Sequence, residues 1–135
     1  MSLAVTATKL VVRDADAAQH FYTSIGLKAV GGNIGGDGDL RQKQCWLSAT
    51  GDMNTHVVIL TQFLERPPPR AITLPGEAWL VLRVEDVDAM SARVQQAGGS
   101  VVRAGQDLAE FNTRAAILAD PEGHVIELVG PMLGR

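Results

Sequence analysis

One stretch of this chain is written twice. Leu10-Val11-Val12-Arg13-Asp14-Ala15-Asp16-Ala17 returns as Leu82-Arg83-Val84-Glu85-Asp86-Val87-Asp88-Ala89, 72 positions later. The same offset carries Gly26 onto Gly98 and Val30 onto Val102. Further along, His56-Val57-Val58-Ile59-Leu60 returns as His124-Val125-Ile126-Glu127-Leu128, now at an offset of 68. The four-residue difference is a change of loop length, which costs little free energy. Tandem copies of one supersecondary unit imply pseudo-symmetry: a single domain of 135 residues, or two half-domains sharing a core.

Each copy opens on a β-branched, apolar run that reads as a strand, Val5–Val12 and Trp79–Val84. Asp14 or Asp16 in the first copy, and Asp86 in the second, are helix N-cap candidates. Ala18, Phe21, Tyr22 and Ile25 then fall at helical spacing, as do Val87, Met90, Val94 and Ala97. Gly26 and Gly98 supply the left-handed stop expected just past a helix. Three strands follow in each copy: Leu27–Val30, Gln42–Ala49 and Thr55–Thr61, then Ser100–Ala104, Thr113–Leu118 and Val125–Val129. The glycine-rich Gly31–Asp39 stretch lacks the ending of a phosphate loop and the twelfth-position Glu of a calcium loop, and reads as a flexible hairpin loop. The expected organisation is a first βαβββ module over 1–64, a Pro-rich linker over 65–78 containing Pro67-Pro68-Pro69, and a second module over 79–135.

Composition removes several function classes. A net charge of −3 supplies no basic face for nucleic acid, and no run approaches the ~20 apolar residues of a membrane span. The start has no charged and then apolar leader, and the single cysteine forms no internal disulfide, so a cytoplasmic protein is expected. Cys45 reads as a small buried hydrophobe.

The chain resembles the vicinal oxygen chelate superfamily, which includes lactoylglutathione lyase (glyoxalase), bleomycin-resistance proteins, fosfomycin-modifying enzymes and extradiol dioxygenases. Val12-Arg13-Asp14 with His20-Phe21-Tyr22-Thr23-Ser24-Ile25-Gly26-Leu27 carries the resemblance in the first module. In the second it is Val84-Glu85-Asp86-Val87-Asp88, Ala97-Gly98-Gly99 and Asp120-Pro121-Glu122-Gly123-His124-Val125-Ile126-Glu127-Leu128. The resemblance implies an α+β fold, two tandem βαβββ modules forming a curved mixed sheet around a cleft, commonly as a homodimer. It also implies four metal-binding positions, one on the opening and one on the closing strand of each module. These positions hold Ala7, Ile59, Trp79 and Glu127. Only Glu127 has a side chain that binds a cation, and one carboxylate is too weak to hold it.

Strand parity extends the argument. His56 and His124 lie three residues before Ile59 and Glu127, an odd separation that turns them to the opposite face. His124 follows a Pro-Glu-Gly turn, which suits capping, and His20 reads as a surface or partly packed helix residue. If Ala7 and Trp79 face the cleft, so do Lys9, Val11, Val81 and Arg83, together with Val57, Ile59, Val125, Glu127 and Val129. Leu10, Val12, Leu82 and Val84 then face the helices. The result is a mostly apolar trough with a few charges, the usual character of a small-molecule site. Trp79 and Trp46 offer flat faces for stacking, and Lys9 or Arg83 offers Glu127 a partner. Arg114 points at either the cleft or solvent.

The expected function is binding of a small, partly apolar organic molecule in a metal-free cleft lined by Trp79, Trp46, Lys9, Arg83, Ile59 and Val57, with no cofactor and no nucleic-acid or membrane partner. Two alternatives are catalytic. One is a metal-dependent lyase or dioxygenase of the same superfamily with displaced divalent-metal ligands. The other is metal-free acid–base chemistry with Glu127 as catalytic base.

Overall fold

A computed structural model describes residues 3–65 and 77–134, so the proline run and Leu74-Pro75-Gly76 of the linker lie outside the described residues. The chain divides into two compact units, 1–72 and 73–135. In chain order the first contains β1 (Ala7–Val11), α1 (Ala15–Ser24), β2 (Lys28–Gly35), β3 (Gln42–Ser48) and β4 (Val57–Phe63). The second contains β5 (Leu80–Arg83), α2 (Val87–Gln96), β6 (Ser100–Leu108), β7 (Thr113–Ala119) and β8 (Val125–Gly130). Each unit is therefore an α+β module with one helix and a four-stranded mixed sheet. The strand orders are β1-β4-β3-β2 and β5-β8-β7-β6, and the opening strand pairs parallel with the closing one in both.

The helices begin and end where local chemistry dictates. Asp14, not Asp16, caps α1 by accepting the Ala17 N–H at 3.0 Å, and Asp86 caps α2 through Ala89 N–H at 2.9 Å. Gly26 and Gly98 follow with φ of 122° and 108°, a region closed to most side chains. In the first unit Leu10, Val12, Cys45, Leu47, Val58 and Leu60 are buried, and Ala15, Ala18, Phe21 and Tyr22 of α1 are buried with them. Phe21 and Tyr22 meet edge-to-face with ring centroids 4.9 Å apart. The second unit repeats the plan with Val87 and Val94 of α2 and with Leu80, Ala116, Leu118, Ile126 and Leu128.

Burial along β8 follows the expected parity, whereas in β4 Val57 and Thr61, on the face away from α1, are buried as well as Val58 and Leu60. Ile126 and Leu128 are buried, and Val125, Glu127 and Val129 between and beside them are half-buried. The glycine-rich stretch departs from expectation. Gly31–Gly35 is not loop but the second half of β2, paired residue for residue with Trp46 back to Gln42. The connection shrinks to a short turn with a 3-10 segment at Gly38–Leu40. Cross-strand pairing overrides the low strand preference of glycine. A bulge lies between Ala29 and Gly31, and β6 carries its counterpart between Val101 and Arg103, again 72 positions on. No helix among the described residues is long and apolar enough to cross a membrane.

Candidate functional site

Register places four residues of the first unit in one row across the sheet. Lys9 pairs with Ile59, Ile59 with Trp46, and Trp46 with Gly31. Leu10, Cys45 and Leu60 occupy the α1 side, so alternation turns this row to the face away from α1. The indole lies across the strand at Gly31. A Cβ added there would sit 2.7 Å from Trp46 Cε3 and 3.2 Å from Cζ3, so any larger residue would push the ring away.

Three amide-linked contacts hold the same face. Trp46 Nε1–H donates to Gln44 Oε1 at 3.0 Å, Gln44 Nε2 donates to Gln42 Oε1 at 2.8 Å, and Lys9 Nζ donates to Gln42 Oε1 at 3.4 Å. Gln42 Nε2 donates to the Leu40 carbonyl at 3.0 Å. Neither end of this ladder can invert: an indole N–H only donates and a backbone carbonyl only accepts. Of the residues expected here, the structure thus brings Lys9, Ile59 and Trp46 into one row. Val57, on the same face of β4, is buried. Gln42, Gln44 and Gly31 were not anticipated. The signal was legible as the alternation Gln42-x-Gln44-x-Trp46, three large side chains on one face of one strand.

The equivalent row of the second unit is Val81, Glu127, Ile117 and Arg103. Glu127 is half-buried on the face away from α2. Within its unit its carboxylate makes no ion pair with Arg83, one of the two partners considered for it, or with any other described residue. Trp79 lies just before β5 and is 45% exposed. A shallow groove of about 610 Å³ runs beside the end of β5, lined by Arg83, Val84, Glu85, Asn112, Thr113, Gly130 and Pro131. It contains Arg83 but neither Glu127 nor Trp79.

Arg114 is settled. Its guanidinium donates to both carboxylate oxygens of Asp88 on α2, at 3.1 and 3.2 Å, and to Asp107 Oδ1 at 3.1 Å. It belongs to the helix side of the sheet. Gly105 makes room, since a Cβ there would meet Asp88 Oδ1 at 2.5 Å. The pair has a counterpart in the first unit, Lys43 with Asp16 at 2.8 Å. The Asp16 hydrogen bond holds the Lys43 ammonium above its ordinary pKa.

The four positions that the resemblance assigns to a cation do not suit one. Ala7, Ile59 and Trp79 carry no donor atom, which leaves the Glu127 carboxylate alone. The histidines are engaged elsewhere. His56 Nε2 lies 2.7 Å from Thr8 Oγ1 and its Nδ1 3.3 Å from the Val5 carbonyl; Thr8 has the opposite parity to Lys9, so the bond sits on the α1 side. His124 Nδ1 lies 2.8 Å from Asp120 Oδ2, while Asp120 Oδ1 accepts the His124 and Glu122 backbone N–H groups. That is the capping role expected of the turn. His20 is exposed on α1. Among the described residues no group of three or more His, Cys, Asp or Glu side chains is placed to hold a metal ion.

Solved structures share this architecture. A glyoxalase family protein from Bacillus cereus is 21% identical with a TM-score of 0.74, covering 96% of this chain and 95% of that one. TioX from Micromonospora sp. ML1 is 19% identical, TM-score 0.67, covering 96% and 99%. A V278E mutant of glyoxalase I from Zea mays reaches 0.75 at 21% identity, over 93% of this chain but only 43% of the maize protein. At such identities the likeness is one of fold. No curated protein sequence matches significantly. The family model described as Glyoxalase/Bleomycin resistance protein/Dioxygenase superfamily matches residues 4–128, and the chain belongs to that family.

Proposed function

We propose that this protein binds a small, partly apolar organic molecule, without a resident metal, on the sheet face turned away from α1. The observation that carries the reading is the seating of Trp46: an aromatic plane laid over a glycine and fixed at its only polar atom by Gln44. A rigid indole offers stacking area at little entropic cost. Ile59 and Val57 supply apolar surface beside it, and Gln42, Gln44 and Lys9 supply a few polar groups to set orientation. The donor-poor side chains at Ala7, Ile59 and Trp79 favour binding without a metal over metal-centred lyase or dioxygenase chemistry. The reading includes a homodimer, as family membership suggests.

Titration of the purified protein with a panel of aromatic and aliphatic compounds, followed by tryptophan emission, tests it. The expected result is saturable quenching by aromatic members, lost in Trp46→Ala and kept in Trp79→Phe. Protein purified without chelator should carry metal far below stoichiometry. A near-stoichiometric transition metal, or no response from any compound, overturns the proposal.

A further inference from the structure

The four strands of the first unit contain Lys9, Lys28 and Lys43 and not one Asp or Glu. In a chain with a net charge of −3 this is a local excess of positive charge. Lys43 is answered on the helix side by Asp16. Among the described residues Lys9, on the face away from α1, has only the neutral amide oxygen of Gln42 at 3.4 Å, a distance too long for a strong hydrogen bond. An ammonium group so placed keeps most of its capacity to bind an anion.

The amide ladder has a direction, and that direction selects ligands. Gln44 Oε1 is taken by the indole, and Gln42 Oε1 by Gln44 and Lys9. What remains unspent is one N–H each of Gln42 and Gln44, the remaining N–H bonds of Lys9 and one lone pair of Gln44 Oε1. The face therefore presents more free donors than acceptors, and its one charged donor is Lys9. Lys9 and Trp46 stand two strands apart with Ile59 between, about 10 Å from backbone to backbone. The flexible stem of Lys9 can lie over Ile59 and bring its charge to a group attached to a ring on Trp46.

We propose that the ligand class of this face is a planar ring bearing an acidic group, with the ring stacked on Trp46 and the acid paired with Lys9. The inference rests on the binding function proposed above and adds the sign of the ligand's charge.

Three probes that share one ring separate the two ideas: 2-naphthoate, 2-naphthylmethanol and 2-naphthylmethylammonium, titrated calorimetrically into the full-length protein. The naphthoate is expected to bind about tenfold more tightly than the alcohol, as a charge-assisted contact provides, with the ammonium weakest. Lys9→Met should bring the naphthoate's affinity down to that of the alcohol measured on the same variant, and Lys9→Arg should retain the advantage. If the alcohol and ammonium bind as well as the naphthoate, or if the preference survives Lys9→Met, the acid assignment is wrong although the binding function stands. If none of the three binds, both fail together.

Discussion

The two units share a plan and diverge in two layers. Under the helix, the first unit buries Phe21 and Tyr22, whereas the positions 72 residues on are the exposed Arg93 and the buried Val94. On the face away from the helix, the row Lys9–Ile59–Trp46–Gly31 corresponds by register to Val81–Glu127–Ile117–Arg103. Backbone features survive the divergence: the Asp caps, the glycine stops, the parallel opening pair, the β2 and β6 bulges and the helix-to-sheet ion pair. What changes is side-chain chemistry on surfaces the fold does not need. Duplicated architecture preserves what the backbone requires and leaves the face of each sheet away from its helix free to specialise.

The largest effect should come from the helix layer. Phe21→Ala removes a side chain that is 2% exposed and should cost about 3–5 kcal/mol, against about 2 kcal/mol for Val94→Ala in the second unit. Urea denaturation followed by far-UV circular dichroism measures both, and equal losses would mean that the aromatic pair gives the first helix no added hold.

A smaller effect tests the faces away from the helices. Glu127→Gln exchanges a half-buried carboxylate that has no ion-pair partner among the described residues of its unit, so stability should move by less than about 1 kcal/mol. Binding of an aromatic ligand to the first unit should be unaffected. Discovery of a turnover that Glu127→Gln abolishes while binding persists would make the second face, not the first, the chemical one.

The smallest effect is local and has no partner in the first unit. Asp107 accepts the Gly134 and Leu133 backbone N–H groups at 3.0 and 3.1 Å, besides Arg114, and these bonds hold its carboxyl below the ordinary Asp range, the Gly134 bond most of all. A depressed folded-state pKa stabilises the tie above the unfolded value of ~3.9 and loses it as pH falls through the folded value. The protection of the Leu133 and Gly134 amides, relative to the unstructured rate at each pH, should therefore fall below about pH 3.9, and fall at neutral pH in Asp107→Asn. Unchanged protection in both would show that the carboxylate does not hold the tail.

Much of this was legible before any coordinates. The two helices, their Asp caps and glycine stops, and the inside–outside alternation of β5 and β8 follow from rules that act within a few residues. Boundaries drifted where ends are set by partners: the opening strand is Ala7–Val11 rather than Val5–Val12, and β6 runs on to Leu108. Gly31–Gly35 was misread because local propensity opposes a strand there, and only pairing with β3 makes one. Arg114 could not be placed because its partners, Asp88 and Asp107, lie on other elements.

By itself, then, the order of residues determined a duplicated βαβββ plan and the faces of most of its strands, since periodicity and side-chain identity are local properties. The tertiary structure decided that Lys9, Gln42, Gln44, Trp46 and Gly31 share one face in contact. Those contacts depend on register between distant strands, and a slip of one residue would turn each of these side chains to the other side of the sheet.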